Sequence, residues 1–378
     1  MAAKKAQAAG LNHEQVQVLR ATIRQRLTVV QGPPGTGKTA TVTQALLVHT
    51  LTTVARPHWG SSTLGRSSIV MMAGPSHASV NAVADRLAPL AGQVEIPIAR
   101  WGDHPSALTQ QRKGYSALRL CGLTADTPKG DLPRIKRKAL NAADAGQWAI
   151  LLSTLVTAAD FSIPVQFGCG DEAGQATEAD LLNFLALTAR GGHVLVIGDE
   201  QQLPARVDSE EARNLGMSYS PLARMRVRLA GTTASHMLTT QYRMHVSIQL
   251  FPNVKYYGGA LRCGLRHFQP APVGLRWPLL LAPGSREANR SREILGAAGN
   301  HQDDFAHQDQ NVMAGDNQRL VLINVNAREE SVGRSATNWG QAQAVAEITR
   351  RLLRADAATR ILVLTGYAAQ AELHTNRL

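Results

Sequence analysis

The chain has 378 residues, 44% of them hydrophobic, with 40 Lys and Arg against 28 Asp and Glu, a net charge of +12 and a pI near 10.1. That length accommodates two domains of ordinary size, while no apolar run approaches the ~18 residues of a membrane span, and the start of the chain lacks the apolar core of a secretory signal. Three scattered cysteines, Cys121, Cys169 and Cys263, make neither a disulfide framework nor a zinc spacing, which points to a reducing compartment inside the cell, cytoplasm or nucleus. Residues 1–150 hold 18 Lys and Arg against 7 Asp and Glu, which is +11 of the +12. An excess so confined suggests a polyanionic partner, a solvated basic surface being the alternative.

Residues 13–25 read as a helix, with Asn12 as its N-cap and Gln15 placed to close a capping box. A buried strand over 27–30 runs straight into Gly32-Pro33-Pro34-Gly35-Thr36-Gly37-Lys38-Thr39. This fits the phosphate-binding loop pattern in full. Its glycines let backbone N–H groups turn toward phosphate oxygens, and the dipole of the helix expected over 38–52 adds to them. Lys38 is placed to reach the β- and γ-phosphates of a nucleoside triphosphate, and the Thr39 hydroxyl to ligate Mg²⁺.

A strand is expected over 69–73 and a helix over 78–88, ended by Pro89. Residues 103–147 read as an irregular, basic insertion, with Arg134, Lys136, Arg137 and Lys138 close together. Further strands are expected over 149–152 and 194–197. Between them, 165–170 reads as a poor strand, since it carries two glycines, and it leads into Asp171-Glu172-Ala173-Gly174-Gln175. Asp171 is placed to hold the Mg²⁺ shell, and Glu172 to take a proton from the attacking water. Ser153-Thr154 and Gly198-Asp199 also follow strand ends. The βα alternation implies an α/β fold with a doubly wound parallel sheet and its ligand at the carboxyl ends of the strands. Composition shifts near 231–257, so the first domain is expected over 1–230 and a second over 231–378. Within the second, 283–318 reads as a disordered insertion, with a strand over 320–323, a helix over 340–353 and a strand over 361–364.

Six segments recur in a telling order: Leu11-Asn12-His13-Glu14-Gln15, the phosphate loop, Gly74-Pro75-Ser76, Asp171-Glu172, Gly198-Asp199-Glu200-Gln201-Gln202-Leu203-Pro204 and Gln241-Tyr242-Arg243-Met244-His245. The set resembles superfamily 1 helicases of the nonsense-mediated-decay RNA helicase branch, from about Leu11 to Gln370 without 283–318. The resemblance implies two RecA-like domains, the second incomplete, with ATP held between them. It implies that Gln15 reads the adenine edge, that Tyr242 stacks on the base, that Gln202 senses the γ-phosphate, and that Arg243 acts as an arginine finger from the second domain. Ser76 and Thr154 would lie along a bound single strand of RNA or DNA. Movement on that strand would run 5′ to 3′, with ATP and Mg²⁺ as cofactors and a monomeric protein.

Several positions depart from the family. His77 and Asn81 stand where relatives commonly carry Asn and Asp, Gly174 where Ser or Ala is usual, and Gly366 where proline is usual. The family's next elements are expected beyond Leu378, which would leave an unpaired apolar edge near residues 362–364. The alternative reading is a catalytically impaired paralogue that binds ATP and nucleic acid.

Overall fold

The computed structural model describes residues 10–54, 69–102, 116, 131–144, 149–264, 325–355, 357 and 360–377. The expected insertion at 283–318 and strand at 320–323 lie outside these residues. Two compact units emerge, the first made of Met1–Met244 with Pro252–Leu265, the second of His245–Phe251 with Arg266–Leu378.

In the first unit, α1 (His13–Arg24) is followed by β1 (Leu27–Gln31), α2 (Lys38–Val54), β2 (Ile69–Gly74), α3 (His77–Gln93) and β3 (Ile98–Arg100). Then come α4 (Leu132–Asp144), β4 (Ile150–Thr154), the short α5 (Leu155–Ala158), β5 (Val165–Gly170), α6 (Glu178–Leu185) and β6 (Thr188–Gly198). The short helices α7 (Glu210–Asn214) and α8 (Pro221–Arg228) precede β7 (Ser235–Met237) and β8 (Thr240–Gln241). Helix α9 (Val246–Tyr257), of which the part from Pro252 onward lies in this unit, and β9 (Arg262–Cys263) follow.

Seven strands form one sheet in the order β3-β4-β2-β5-β6-β1-β7, every adjacent pair parallel. Alternate strand residues feed two cores. Val30, Met72, Leu152 and Leu195 pack with α1, α2 and α3 on one face. Val29, Met71, Leu151 and Val196 pack with α4, α5, α6 and α8 on the other. A sheet covered on both faces has continuously apolar strands, and β2 is buried at every position. Each such Val, Leu, Ile or Met contributes roughly 1.5–3 kcal/mol by leaving water.

The order places β6 between β1 and β5. Gln31 pairs with Gly198 and Gly170 with Val196, so the segments after β1, β5 and β6 leave the sheet at nearly one level.

Four readings of the sequence are corrected. Residues 132–144 form the helix α4 rather than an irregular segment. Ile135, Ala139 and Ala142 are buried while Arg134, Arg137 and Lys138 face solvent, so an amphipathic stripe hides inside the basic run. Pro89 does not end its helix, which continues to Gln93. The proline is exposed and Ala91 is buried in the core, so tertiary packing offsets the lost hydrogen bond. The glycines of β5 fit a central strand because α6 presses on it. A Cβ at Gly168 or Gly170 would come within 3.1 Å of Phe184 or 3.2 Å of Leu181. Finally, β7 lies beyond residue 231 yet completes the first sheet against β1.

In the second unit, β10 (Glu330–Val332) and β11 (Ser335–Thr337) form an antiparallel pair, followed by α10 (Trp339–Ala355) and α11 (Ala368–Thr375). Gln370 is buried and bridges the start of α10, accepting from Asn338 N at 2.6 Å and donating to Asn338 O at 3.2 Å. Residues 361–364 are not a strand; Leu362 and Leu364 are about four-fifths exposed, at 80% and 82%. An extended segment needs neighbours to bond its backbone, and no strand pairs with it among the described residues.

Candidate nucleotide-binding site

The loop between β1 and α2 is tied to the sheet and braced by its own hydrogen bonds. Gly32 N donates to Gly198 O at 2.7 Å, joining the loop to the end of β6. The Thr36 hydroxyl donates to Pro33 O at 2.7 Å, and Pro34 follows in a stretch without amide hydrogens. Gly35 and Gly37 have φ of +77° and +84°, a region that side chains disfavour. Both are also crowded: a Cβ at Gly35 would sit 2.6 Å from Arg243 Cβ, and one at Gly37 would overlap the Gln15 amide. The result is a concave run of N–H groups at a helix N-terminus, which suits an anion. Lys38 Nζ folds over the loop, donating to Gly32 O at 2.8 Å and lying 3.6 Å from Glu172 Oε1.

Asp171 and Glu172 leave the end of β5 beside it. Asp171 N donates to Ala73 O at 2.9 Å, and Glu172 N donates to Asp171 Oδ1 at 2.9 Å. Burial, then the neighbouring Glu172 charge, pushes the Asp171 carboxyl up to about 7, although the Glu172 amide and Lys38 pull the other way. Glu172 has φ of +49°, a left-handed conformation that costs a non-glycine residue of order 1 kcal/mol or more. A buried carboxylate with an elevated pKa, with the Thr39 hydroxyl in the first turn of α2, is an all-oxygen donor set suited to a hard divalent cation. Such an ion would offset the charge crowding at Asp171.

Asp199, at the end of β6, joins three elements. Its carboxylate accepts from Gln31 Nε2 at 3.3 Å, from Gln201 N at 3.2 Å, from Gln202 Nε2 at 2.7 Å and from the Tyr257 hydroxyl at 2.7 Å. Gln202 is therefore held by a buried anion. Burial and the Asp199 hydrogen bond push the Tyr257 phenol far up, so it remains a donor. Neither Asp199 nor Tyr257 was singled out as a site residue from sequence; the position of Gly198-Asp199 at a strand end was the available signal for the first. Tyr257→Phe is expected to destabilise the chain by about 1.5–3 kcal/mol, since a charged acceptor loses a donor. Urea unfolding measures this, and an unchanged midpoint would show the bond to be dispensable.

The segment 241–244 lies against the phosphate loop. Tyr242 N donates to Gly35 O at 2.9 Å. Gln241 is buried, and its Oε1 accepts from Arg243 N and Met244 N at 2.8 and 2.7 Å. Gly264 N donates to Gln241 O at 2.8 Å where β8 pairs with β9. Tyr242 and Arg243 belong to the first compact unit, Tyr242 through its backbone bond to Gly35 and Arg243 through its close approach to the same glycine. Arg243 is exposed. The Gln15 amide donates to Thr36 O at 3.0 Å and accepts from Asn12 N at 2.9 Å. One donor hydrogen and one acceptor lone pair remain on it.

Ser76 and Thr154 sit at the carboxyl ends of neighbouring strands, where Gly74 pairs with Thr154. Both side chains are N-caps, accepting from Ser79 N and Thr157 N at 3.2 Å each. Ser76 is exposed and Thr154 buried, so of the two only Ser76 presents its side chain at the surface. The two departures from the family nearby share one task. The wholly buried Arg100 donates to Asn81 Oδ1 at 3.0 Å, to His77 Nδ1 at 2.7 Å and to Trp101 O at 2.9 Å.

A parallel sheet wound on both faces, with this loop after β1 and paired carboxylates after β5, is the fold of P-loop NTPases. Two family models, both described as an AAA domain, match residues 10–121 and 217–378. The ATP-dependent helicase NAM7 of Saccharomyces cerevisiae is 26% identical over 77% of this chain and 30% of its own length. The ATP-dependent helicase upf1 of Schizosaccharomyces pombe is 27% identical over 76% and 32%. The 3'-5' exoribonuclease HELZ2 of Homo sapiens is 27% identical over 96% of this chain and 13% of its own length. The arterivirus nonstructural protein 10 helicase superposes with a TM-score of 0.35 at 16% identity, over 68% of this chain and 46% of that one. These matches support a superfamily 1 helicase of the nonsense-mediated-decay branch. The chain spans a third or less of the length of these three curated relatives. No described helix is long and apolar enough to cross a membrane.

Proposed function

We propose that this chain is the ATP-driven core of a nucleic-acid helicase, moving 5′ to 3′ along a single strand of RNA or DNA. The observation that carries the reading is the convergence of Lys38, Asp171, Glu172 and the Asp199-held Gln202 at the ends of β1, β5 and β6. In this reading the loop amides and Lys38 hold the β- and γ-phosphates. A bound Mg²⁺, held by Thr39 and Asp171, would neutralise phosphate charge. Glu172 accepts a proton from the attacking water, Gln202 touches the γ-phosphate, and Arg243 stabilises charge on the transferring phosphoryl group. Gln15 and Tyr242 take the adenine by its edge and its face. Ser76 lines the strand from the surface, while the buried Thr154 caps the helix beside it.

The domain division proposed here is a first ATP-binding domain and a second RecA-like domain, divided along the two compact units so that Pro252–Leu265 stays with the first. The test is ATP hydrolysis with and without single-stranded RNA or DNA, beside unwinding of a tailed duplex. Stimulated hydrolysis with strand separation supports the reading. Binding of ATP and nucleic acid without turnover would instead identify a binding module, and no nucleotide binding would reject both.

The solvent face of α4 supplies a further prediction. Changing Arg134, Lys136, Arg137 and Lys138 together to Glu leaves Ile135 and Ala139 in the core, so the helix should persist. If these cations neutralise phosphates, log Kd for single strands should lose up to about 3 units of dependence on log salt, at ~0.7 per phosphate. A salt titration followed by fluorescence anisotropy measures the slope, and an unaltered slope would place the strand elsewhere.

A further inference from the structure

An acidic residue in the first turn of a helix ordinarily complements the helix dipole. Glu14 does more. Its half-buried carboxylate accepts from Thr239 N at 2.7 Å and Thr240 N at 3.1 Å. The Thr240 hydroxyl donates to it at 3.3 Å, and the Thr239 hydroxyl donates to it as well. Burial pushes the Glu14 carboxyl up, but these donors together outweigh it and hold the group below the ordinary glutamate value. The charge is therefore present at neutral pH.

The two segments so joined carry the two base-facing groups of the proposed site. Gln15 is the next residue on α1. Tyr242 is two residues beyond Thr240, and its hydroxyl accepts from Asn12 Nδ2 at 3.0 Å. Ring atoms of Tyr242 lie close against Gly264, where a Cβ would approach Cδ1 to 2.8 Å, and the residue is 42% exposed. So one side of the ring is backed by main chain, while the residue as a whole remains open to solvent. Asn12, Glu14 and Gln15, within one helical turn, hold both the amide and the ring.

We propose that Glu14 is the positioning residue of the nucleobase site. It ties the segment bearing Tyr242 to the helix bearing Gln15 and so sets the preference for adenine over other bases. This rests on the ATP-binding reading above. The phosphate loop holds the triphosphate by separate contacts, so base selection and phosphate binding should separate on mutation. In Glu14→Gln, an NH₂ group replaces one acceptor oxygen and faces donors from Thr239 and Thr240.

The experiment is equilibrium binding of ATP and GTP carrying a ribose fluorophore to the full 378-residue chain, with inorganic tripolyphosphate as competitor. Glu14→Gln should weaken ATP about tenfold, the worth of a charge-assisted hydrogen bond, with GTP and tripolyphosphate unchanged. A double variant, Thr239→Val with Thr240→Val, removes the hydroxyl donors and keeps both peptide N–H groups. It should shift the ATP-to-GTP ratio in the same direction by less, and it keeps the proposal testable if Glu14→Gln fails to fold. An unchanged ratio in a folded variant overturns the proposal, as does parallel loss of ATP and tripolyphosphate. A wild-type chain that binds no nucleotide would instead overturn the ATP-binding reading.

Discussion

Exchange of Lys38 for alanine is expected to lower ATP affinity by about 10²–10³-fold while the fold survives, because a buried polyanion would lose its only cation within the loop. The ammonium donates to Gly32 O and lies near Glu172. Neither contact supports the core, which is built from the sheet and its helix layers. The loop keeps its shape through Gly32 N to Gly198 O and Thr36 to Pro33 O, both independent of Lys38. Fluorescent-nucleotide binding checks the affinity and thermal unfolding the fold. Unchanged affinity would sink the assignment of the loop.

Glu172→Gln is expected to keep ATP binding and to lose turnover by about 10²–10⁴, the range of a general base. The substitution preserves size and the left-handed backbone at this position, so the loss would report chemistry rather than refolding. It also removes a charge that raises Asp171. An acid whose folded pKa lies above its unfolded value favours folding at low pH, and that contribution is lost as pH rises from about 4 through about 7. In metal-free protein, Glu172→Gln should therefore flatten the fall in stability across that window. Single-turnover hydrolysis and urea unfolding at several pH values test the two halves. Retained turnover would remove Glu172 from the base role, and an identical pH profile would show that its charge does not reach Asp171.

Local features were legible in the chain. The capping box at Asn12 and Gln15 depends on residues three apart and forms as read. The phosphate loop, the strands beneath it and the alternation that makes a two-sided parallel sheet were equally readable, because apolar runs and glycines act within a few residues. Where a local rule met packing, packing decided: α3 runs through Pro89, and β5 uses its glycines to admit α6. The helix 132–144 is hard to read from sequence because its buried Ile135, Ala139 and Ala142 are interleaved with basic residues.

The partners that complete the site were beyond the sequence by itself. Asn12 meets Tyr242 across 230 residues, Glu14 meets Thr239 across 225, and Asp199 meets Tyr257 across 58. No periodicity or spacing records such pairs, since either residue alone has an ordinary local role. A helix cap, a first-turn acid and a strand-end aspartate acquire their present functions only when the sheet order brings β1, β5 and β6 together and returns the 239–264 segment to the loop. The order of residues dictates which groups this protein has for a triphosphate; folding selects which of them hold one another in place, because a hydrogen bond between distant residues exists only after the chain between them has folded.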